Sequence, residues 1–170
     1  MLEDYFNPIS SESNENLEPL EMIKHFLPNV ERLKNNNSSG EARLYALRVA
    51  CMYADRTKII VLSDPYNLDK DKNEYENHEL LPANNAGILC EKIAISEERI
   101  AAIVVNYNNA SNFYYKKVRE IASAENAIMI WDTLDKSMQD IKIPTNCAPD
   151  IFCFKFSTSS YWLAFTRVFM

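Results

Sequence analysis

The chain has 170 residues, of which 47% are hydrophobic and 25% charged, and its formal net charge is −6. This size and composition suit one globular domain with a sizeable core, and the acidic balance argues against a nucleic-acid-binding surface. The sequence has no apolar run long enough for a membrane span, no signal-peptide pattern and no C-x-x-C pair among its four cysteines. We therefore expect a cytoplasmic protein with reduced cysteines.

The first half of the chain predicts alternating helices and strands. Residues 1–16 are polar and predict a mobile lead-in. Residues 17–27 carry the apolar stripe of a helix, and residues 30–34 are a strand candidate. A helix is predicted over 41–54, and a β-branched strand over 58–62 follows it.

The second half predicts a parallel sheet. The charged run 64–79 is interpreted as a solvated loop. An amphipathic helix over 112–125 lies between two of the predicted strands, which is the pattern of a βαβ unit. The strands predicted in this half are apolar segments at 100–105, 127–131, 150–154 and 162–169, and the short connection before the last one allows an antiparallel return. The expected fold is a single α/β domain over 17–170, with a mainly parallel sheet between two helical layers.

Three features follow predicted strands at their carboxyl ends, where parallel sheets bind ligands. The turn Ser38-Ser39-Gly40 begins a helix, whose N-terminal N–H groups and dipole favour an anion such as a phosphate. Tyr66 follows the second strand, and Asp132 ends a later one. Together these features can hold a phosphorylated, protonatable heterocycle. The alternatives are an ordinary helix cap, a tyrosine that anchors a loop and an aspartate that caps a turn.

A longer motif lies in the segment 37–60. Its residues are Asn37, Ser38, Glu41, Ala42, Ala46, Leu47, Arg48, Ala50, Tyr53, Arg56, Lys58, Ile59 and Ile60. In these residues the segment resembles the cofactor-phosphate segment of class III pyridoxal-phosphate (PLP) aminotransferases, and most of all that of the glutamate-1-semialdehyde aminomutases. The resemblance extends more weakly from about residue 17 to residue 167.

The resemblance implies part of the large domain of a fold-type I PLP enzyme, and a role for each candidate residue. Ser38, Ser39 and Gly40 would hold the cofactor phosphate, and Tyr66 would stack on the pyridine ring. Asp132 would pair with the protonated pyridine nitrogen, and Lys155 would form the Schiff base. The family usually completes its sites across a dimer interface, so the resemblance also implies a homodimer or association with a longer family member.

Departures from the family pattern weaken the catalytic interpretation. The family's Glu after the strand 100–105 is Asn106 here, and its Arg falls at Gln139. An ungapped match places Phe156 on the Schiff-base lysine and Lys155 one residue before it. A one-residue slip along a strand moves a side chain to the opposite face of the sheet. The register therefore decides whether Lys155 can act as the Schiff-base lysine.

The sequence therefore favours a relative that is weakly catalytic or non-catalytic by itself, with weak or no PLP binding. The alternative is an active aminotransferase or aminomutase that uses Lys155. A generic nucleotide binder ranks last because the chain has no G-x-G-x-x-G motif. No metal-ligand spacing is present, so no metal is expected.

Overall fold

The structure is a computed structural model that describes residues 14–106, 111–136, 140–141, 147–157 and 160–166. The described helices are α1 (Asn14–Phe26), α2 (Ser39–Ala54), α3 (Leu68–Glu74), α4 (Ala86–Ile95) and α5 (Asn112–Glu125). The described strands are β1 (Arg32–Asn36), β2 (Lys58–Ser63), β3 (Glu79–Pro82), β4 (Ile100–Asn106), β5 (Ile128–Asp132), β6 (Ile151–Ser157) and β7 (Ser160–Phe165).

All seven strands form one sheet in the order β1-β7-β6-β5-β4-β2-β3. Strand β7 runs antiparallel to both of its neighbours, β1 and β6, and the other pairings are parallel. Helices α1, α4 and α5 pack on one face of the sheet, and α2 packs on the other. The predicted three-layer α/β fold with a mainly parallel sheet is thus confirmed, and the last strand makes the antiparallel return that the sequence allows.

Helix α2 is positioned by local chemistry at both of its ends. Ser38 Oγ accepts the N–H of Glu41 at 3.1 Å, while the Glu41 carboxylate accepts the N–H of Asn37 at 2.7 Å. The first bond caps the helix, and the second ties the residue before the N-cap to the first turn. At the other end Asp55 takes a left-handed conformation with φ of 51°, which ends the helix before β2.

The inner face of α2 explains why the helix can lie close to the sheet. Ala42, Ala46 and Ala50 recur every four residues, and all are at most 1% exposed. Residues at this spacing lie on one face of a helix, and small side chains allow the backbones to approach. The strands β4 and β5 beneath are buried on both faces, which accounts for their continuous apolar sequences.

The main correction concerns the charged run 64–79, which is more than a solvated loop. It contains α3 and the start of β3, and it buries Asp71 and Tyr75, each 3% exposed. The boundaries of the other predicted elements agree with the structure to within a few residues. The last strand ends at Phe165, and residues 167–169 of its predicted span lie outside the described part of the chain. Helix α1 begins at Asn14, inside the segment predicted as a lead-in, and residues 1–13 lie outside the described part of the chain.

The sheet has two edge strands, β1 and β3. Strand β1 is rich in polar and basic side chains, and β3 is short and ends at Pro82. Both features disfavour pairing with another chain along these edges. Among the described helices, none combines the length and apolar character that a bilayer crossing requires.

Candidate functional site

The alternation of side chains places Asp132 and Lys155 on the α2 face of the sheet. In β5 the residues Ile128 and Ile130 pack against the α2 side, so Asp132 projects the same way. In β6 the residue Cys153 is buried on that side, and it is the register partner of Asp132 on the neighbouring strand. Lys155 lies two residues further, roughly 7 Å along the strand.

The position of Phe156 supports this register. Phe156 packs with the apolar cluster on the opposite face. The Lys155 Nζ lies 6.0 Å from the centre of the Tyr161 ring, which borders the α2 side. The structure therefore places Lys155, and not Phe156, on the same face as Asp132.

Asp132 is buried, with 1% exposure, and both of its carboxylate oxygens accept hydrogen bonds. Arg43 Nε donates to Oδ2 at 2.6 Å, and the Tyr75 hydroxyl donates to the same oxygen. The N–H of Leu134 donates to Oδ1 at 3.0 Å, which begins the turn after β5. Asp132 therefore caps the following turn through Leu134, as the alternative interpretation proposes. Its other two hydrogen bonds come from the side chains of Arg43 and Tyr75.

Arg43 joins Asp132 to two further carboxylates. Its Nη2 lies 3.3 Å from both Glu74 Oε2 and Asp135 Oδ2, at ion-pair distance but without hydrogen-bond geometry. Burial alone lowers the pKa of Arg43, but the attraction of Asp132 and the other acidic partners outweighs it and raises the pKa above the ordinary value. Arg43 is therefore a permanent cation at 8% exposure.

Helix α3 and the residue after it cover this ion pair. Burial, followed by the charge of Asp132, raises the pKa of the Tyr75 hydroxyl well above its ordinary value, so the group remains a donor. Lys70 reaches Asp135 at 3.1 Å on the outside of the cluster. We call the group formed by Arg43, Lys70, Glu74, Tyr75, Asp132 and Asp135 the Asp132 cluster.

A second contact holds α3 against the sheet. Ser63, the last residue of β2, donates its hydroxyl hydrogen to the carboxylate of Asp71. Both residues are buried, with exposures of 0% and 3%. The first turns of α3 are therefore fixed at the carboxyl end of β2, where they close over the Asp132 cluster.

The predicted phosphate turn lies at the N-terminus of α2. Ser38 is the N-cap, and its hydroxyl accepts the Glu41 N–H, as in an ordinary capped helix. The N–H groups of Ser39 and Gly40 lie in the first turn, where a helix offers no acceptor. A Cβ added at Gly40 would meet no atom within 4 Å, so the fold itself does not require glycine there.

Tyr66 lies apart from the buried cluster. It is 96% exposed in the turn after β2, where its N–H donates to Asp64 Oδ1 at 2.9 Å. The structure therefore does not bring Ser38–Gly40, Tyr66 and Asp132 onto a shared open crevice, because Asp132 is covered by Arg43 and Tyr75. Asn106 ends β4, whereas Gln139 lies outside the described residues.

The described surface has clefts elsewhere. A cavity of about 610 Å³ lies between α4 and α5, and a second, of about 470 Å³, lies where α2 and α5 end. Neither is lined by a residue of the predicted site. Within the described ranges, no three acidic, His or Cys side chains converge as a metal site.

Comparison with known proteins agrees with this architecture. No family model matches the chain. Over 142 residues it is 25% identical to glutamate-1-semialdehyde 2,1-aminomutase of Halobacterium salinarum, covering 68% of this chain and 32% of that protein. The chain thus spans about a third of the length of this curated relative.

Solved aminotransferases share the fold at lower sequence identity. A taurine:2-oxoglutarate aminotransferase from Bifidobacterium kashiwanohense, solved with PLP and glutamate, has a TM-score of 0.71 and 14% identity, over 94% of this chain and 48% of that one. An acetylornithine aminotransferase from Elizabethkingia anophelis has a TM-score of 0.68 and 16% identity, over 94% of this chain and 48% of that one.

The predicted resemblance to the class III PLP-dependent aminotransferases is confirmed: the chain is similar in sequence to a curated aminomutase, and its described residues have the fold of solved aminotransferases. Within that class, its similarity in sequence is to a glutamate-1-semialdehyde aminomutase.

Proposed function

We propose that this chain is a relative of the PLP-dependent aminotransferases that is by itself weakly catalytic or non-catalytic. The single observation that carries the proposal is the state of Asp132. Its carboxylate is 1% exposed and is engaged by Arg43, Tyr75 and Leu134. A carboxylate that must pair with the ring nitrogen of a cofactor needs a free face, and this one has none.

PLP, when bound in an enzyme, supplies a cationic ring that acts as an electron sink. The residues of this chain fit that group only in part. The first turn of α2 has the N–H groups and dipole that suit a phosphate. Asp132 does not fit as it stands, because its ring partner would have to replace Arg43. We therefore propose weak or no PLP binding.

Lys155 favours the alternative, an active enzyme. It lies on the α2 face, on the strand next to Asp132, and a Schiff-base lysine would have to face that way. The ammonium stands next to the Tyr161 ring, however, and no described contact links it to the Asp132 cluster. This observation makes Lys155 the attachment point to test, and we keep the active enzyme as the second candidate.

We also propose that the chain acts in the cytoplasm and associates with a second copy or with a longer relative. The association is supported by apolar side chains on the outer side of α2, where Leu44 is 49% exposed and Met52 is 51% exposed. Sedimentation analysis of the purified chain tests this association. A strictly monomeric chain at all concentrations would exclude the homodimer.

The experiment that tests the catalytic proposal compares the purified chain with a Lys155→Ala variant. PLP is added, the absorbance spectrum is recorded, borohydride is used to fix any imine, and amino transfer from glutamate is measured. We expect no turnover and no borohydride-stable label that depends on Lys155. Turnover that is lost in Lys155→Ala would overturn the proposal and establish the second candidate.

A further inference from the structure

We propose that the cavity between α4 and α5 is a binding site for a small organic acid with an apolar body and a carboxylate head. We call this cavity the α4–α5 cleft. Both helices pack on the face of the sheet opposite the Asp132 cluster, so the inference goes beyond the proposed function and does not depend on it. The lining of the cleft includes Ala86, Cys90, Phe113, Tyr114, Ile121 and Ala124.

The first step is the size and character of the α4–α5 cleft. Its volume of about 610 Å³ lies within the range of about 300–1,000 Å³ that is typical of small-molecule sites. The lining is mainly apolar, and the large side chain of Phe113 is left 70% exposed there. An apolar ligand that covers this surface removes it from water, which favours binding.

The second step is the hydroxyl group of Tyr114. This residue lines the cleft and is 6% exposed, and its buried hydroxyl has no hydrogen-bond partner among the described residues. Burial raises the pKa of Tyr114 above its ordinary value, so the hydroxyl stays protonated and can donate. A buried donor without an acceptor is unfavourable. An oxygen atom of a ligand in the cleft would supply the acceptor that the protein does not.

The third step is the charge of the ligand's head. Ala86 and Phe113 line the cleft and lie in the first turns of α4 and α5. The N–H groups of a first turn have no acceptor within the helix, and the helix dipole favours negative charge there. The charges of Lys117 and Glu120, which also line the cleft, offset each other in an ion pair of 2.9 Å. The two helix ends therefore make a carboxylate more favourable than an amine.

Cys90 gives the test a readout at the site itself, because it is exposed and lines the cleft. The full chain is alkylated with iodoacetamide in the presence of 2-naphthoate, the neutral 2-naphthamide or the cationic 2-naphthylmethylamine, and the modified peptides are quantified by mass spectrometry. Cys51, on α2 and hence on the other face of the sheet, is the internal control. We expect 2-naphthoate to protect Cys90 with a Kd of about 1 mM or lower, and not to protect Cys51.

A Tyr114→Phe variant tests the hydroxyl, with Tyr53→Phe as the matched control because Tyr53 is 40% exposed on α2. Tyr114→Phe should raise the Kd of 2-naphthoate at least about 10-fold, whereas Tyr53→Phe should leave it unchanged. The thermal midpoint of the free chain should not fall in Tyr114→Phe, because the hydroxyl has no described partner to lose. A lower midpoint in this variant would show that the hydroxyl is already satisfied, and would overturn the proposal.

The remaining outcomes also decide the matter. Equal protection of Cys90 and Cys51, equal protection by the three compounds, or no protection by 2-naphthoate would each overturn the proposal. An unchanged Kd in Tyr114→Phe would do the same. Protection of Cys90 should be identical in Lys155→Ala, and a loss there would show that the acid acts through the predicted cofactor site instead. Because turnover plays no part in this readout, this proposal and the proposed function fail separately.

Discussion

The hydrogen bond from Tyr75 to Asp132 allows a sharp test of the buried cluster. Tyr75→Phe removes a single hydroxyl and leaves the ring, which is 3% exposed, in its packing. A hydrogen bond to a charged partner contributes about 1.5–3 kcal/mol to stability. Because Asp132 keeps Arg43 and Leu134 as donors, we expect a loss near the lower limit, about 1.5–2 kcal/mol.

The assay is urea unfolding followed by circular dichroism, with Tyr66→Phe as the control. Tyr66 is 96% exposed, so its change should stay within about 0.5 kcal/mol. For a chain of this size the loss in Tyr75→Phe corresponds to about 3–8 °C in the thermal midpoint. Equal stabilities of the two variants would refute the reasoning that Tyr75 stabilises the buried carboxylate.

The same variant predicts a pH effect whose sign follows from the raised pKa of Tyr75. Burial and the Asp132 charge raise this pKa in the folded state above the unfolded value of about 10. The corresponding stability is present below pH 10 and is lost as the pH rises toward the folded value. The unaltered chain should therefore lose stability above pH 10 more steeply than Tyr75→Phe. Parallel pH profiles would contradict the burial of an un-ionised phenol.

Three further predictions follow from other contacts. Arg43→Met and Asp132→Leu should each lower the free energy of unfolding in urea by about 3–5 kcal/mol, and the double variant should lower it by less than either. Additive losses would argue against the buried ion pair. Ser38→Ala should cost about 1 kcal/mol through loss of the α2 cap, and Ser39→Ala clearly less, so equal costs would exclude this cap. Burial lowers the pKa of His78, so the stability of the chain should fall as the pH drops through about 6.5. His78→Gln should reduce this fall in denaturation experiments at different pH values. An unchanged dependence of stability on pH in the variant would contradict the burial of a neutral His78.

The sheet could be predicted from the sequence because its signals are local. Strands β4 and β5 are continuous apolar segments, and α5 has an apolar stripe between them. A strand that is buried on both faces has a continuous apolar sequence, and a βαβ connection makes the two strands that it joins parallel. Helix α3 and strand β3 gave no such signal, because seven and four residues are too few for a clear period.

The candidate site was predictable only in part. The sequence identified Asp132 and placed it at the end of a strand, but the partner of its carboxylate could not be read from the chain. Arg43 lies 89 residues away and Tyr75 lies 57 residues away from Asp132. Contacts at such separations leave no spacing pattern. An arginine on the inner face of an alanine-rich helix is the one signal that could have revealed the pair.

The antiparallel pairing of β1 with β7 has a consequence for the order in which the molecule assembles. The partners Arg32 and Phe165 are separated by almost the entire described chain. During synthesis β2, β4 and α5 can pack as soon as they emerge, whereas β1 must wait for the last described strand. Until then β1 has no partner strand among the described elements. Closing so long a loop is slow, so this late step is the one at which a chaperone or premature aggregation would act.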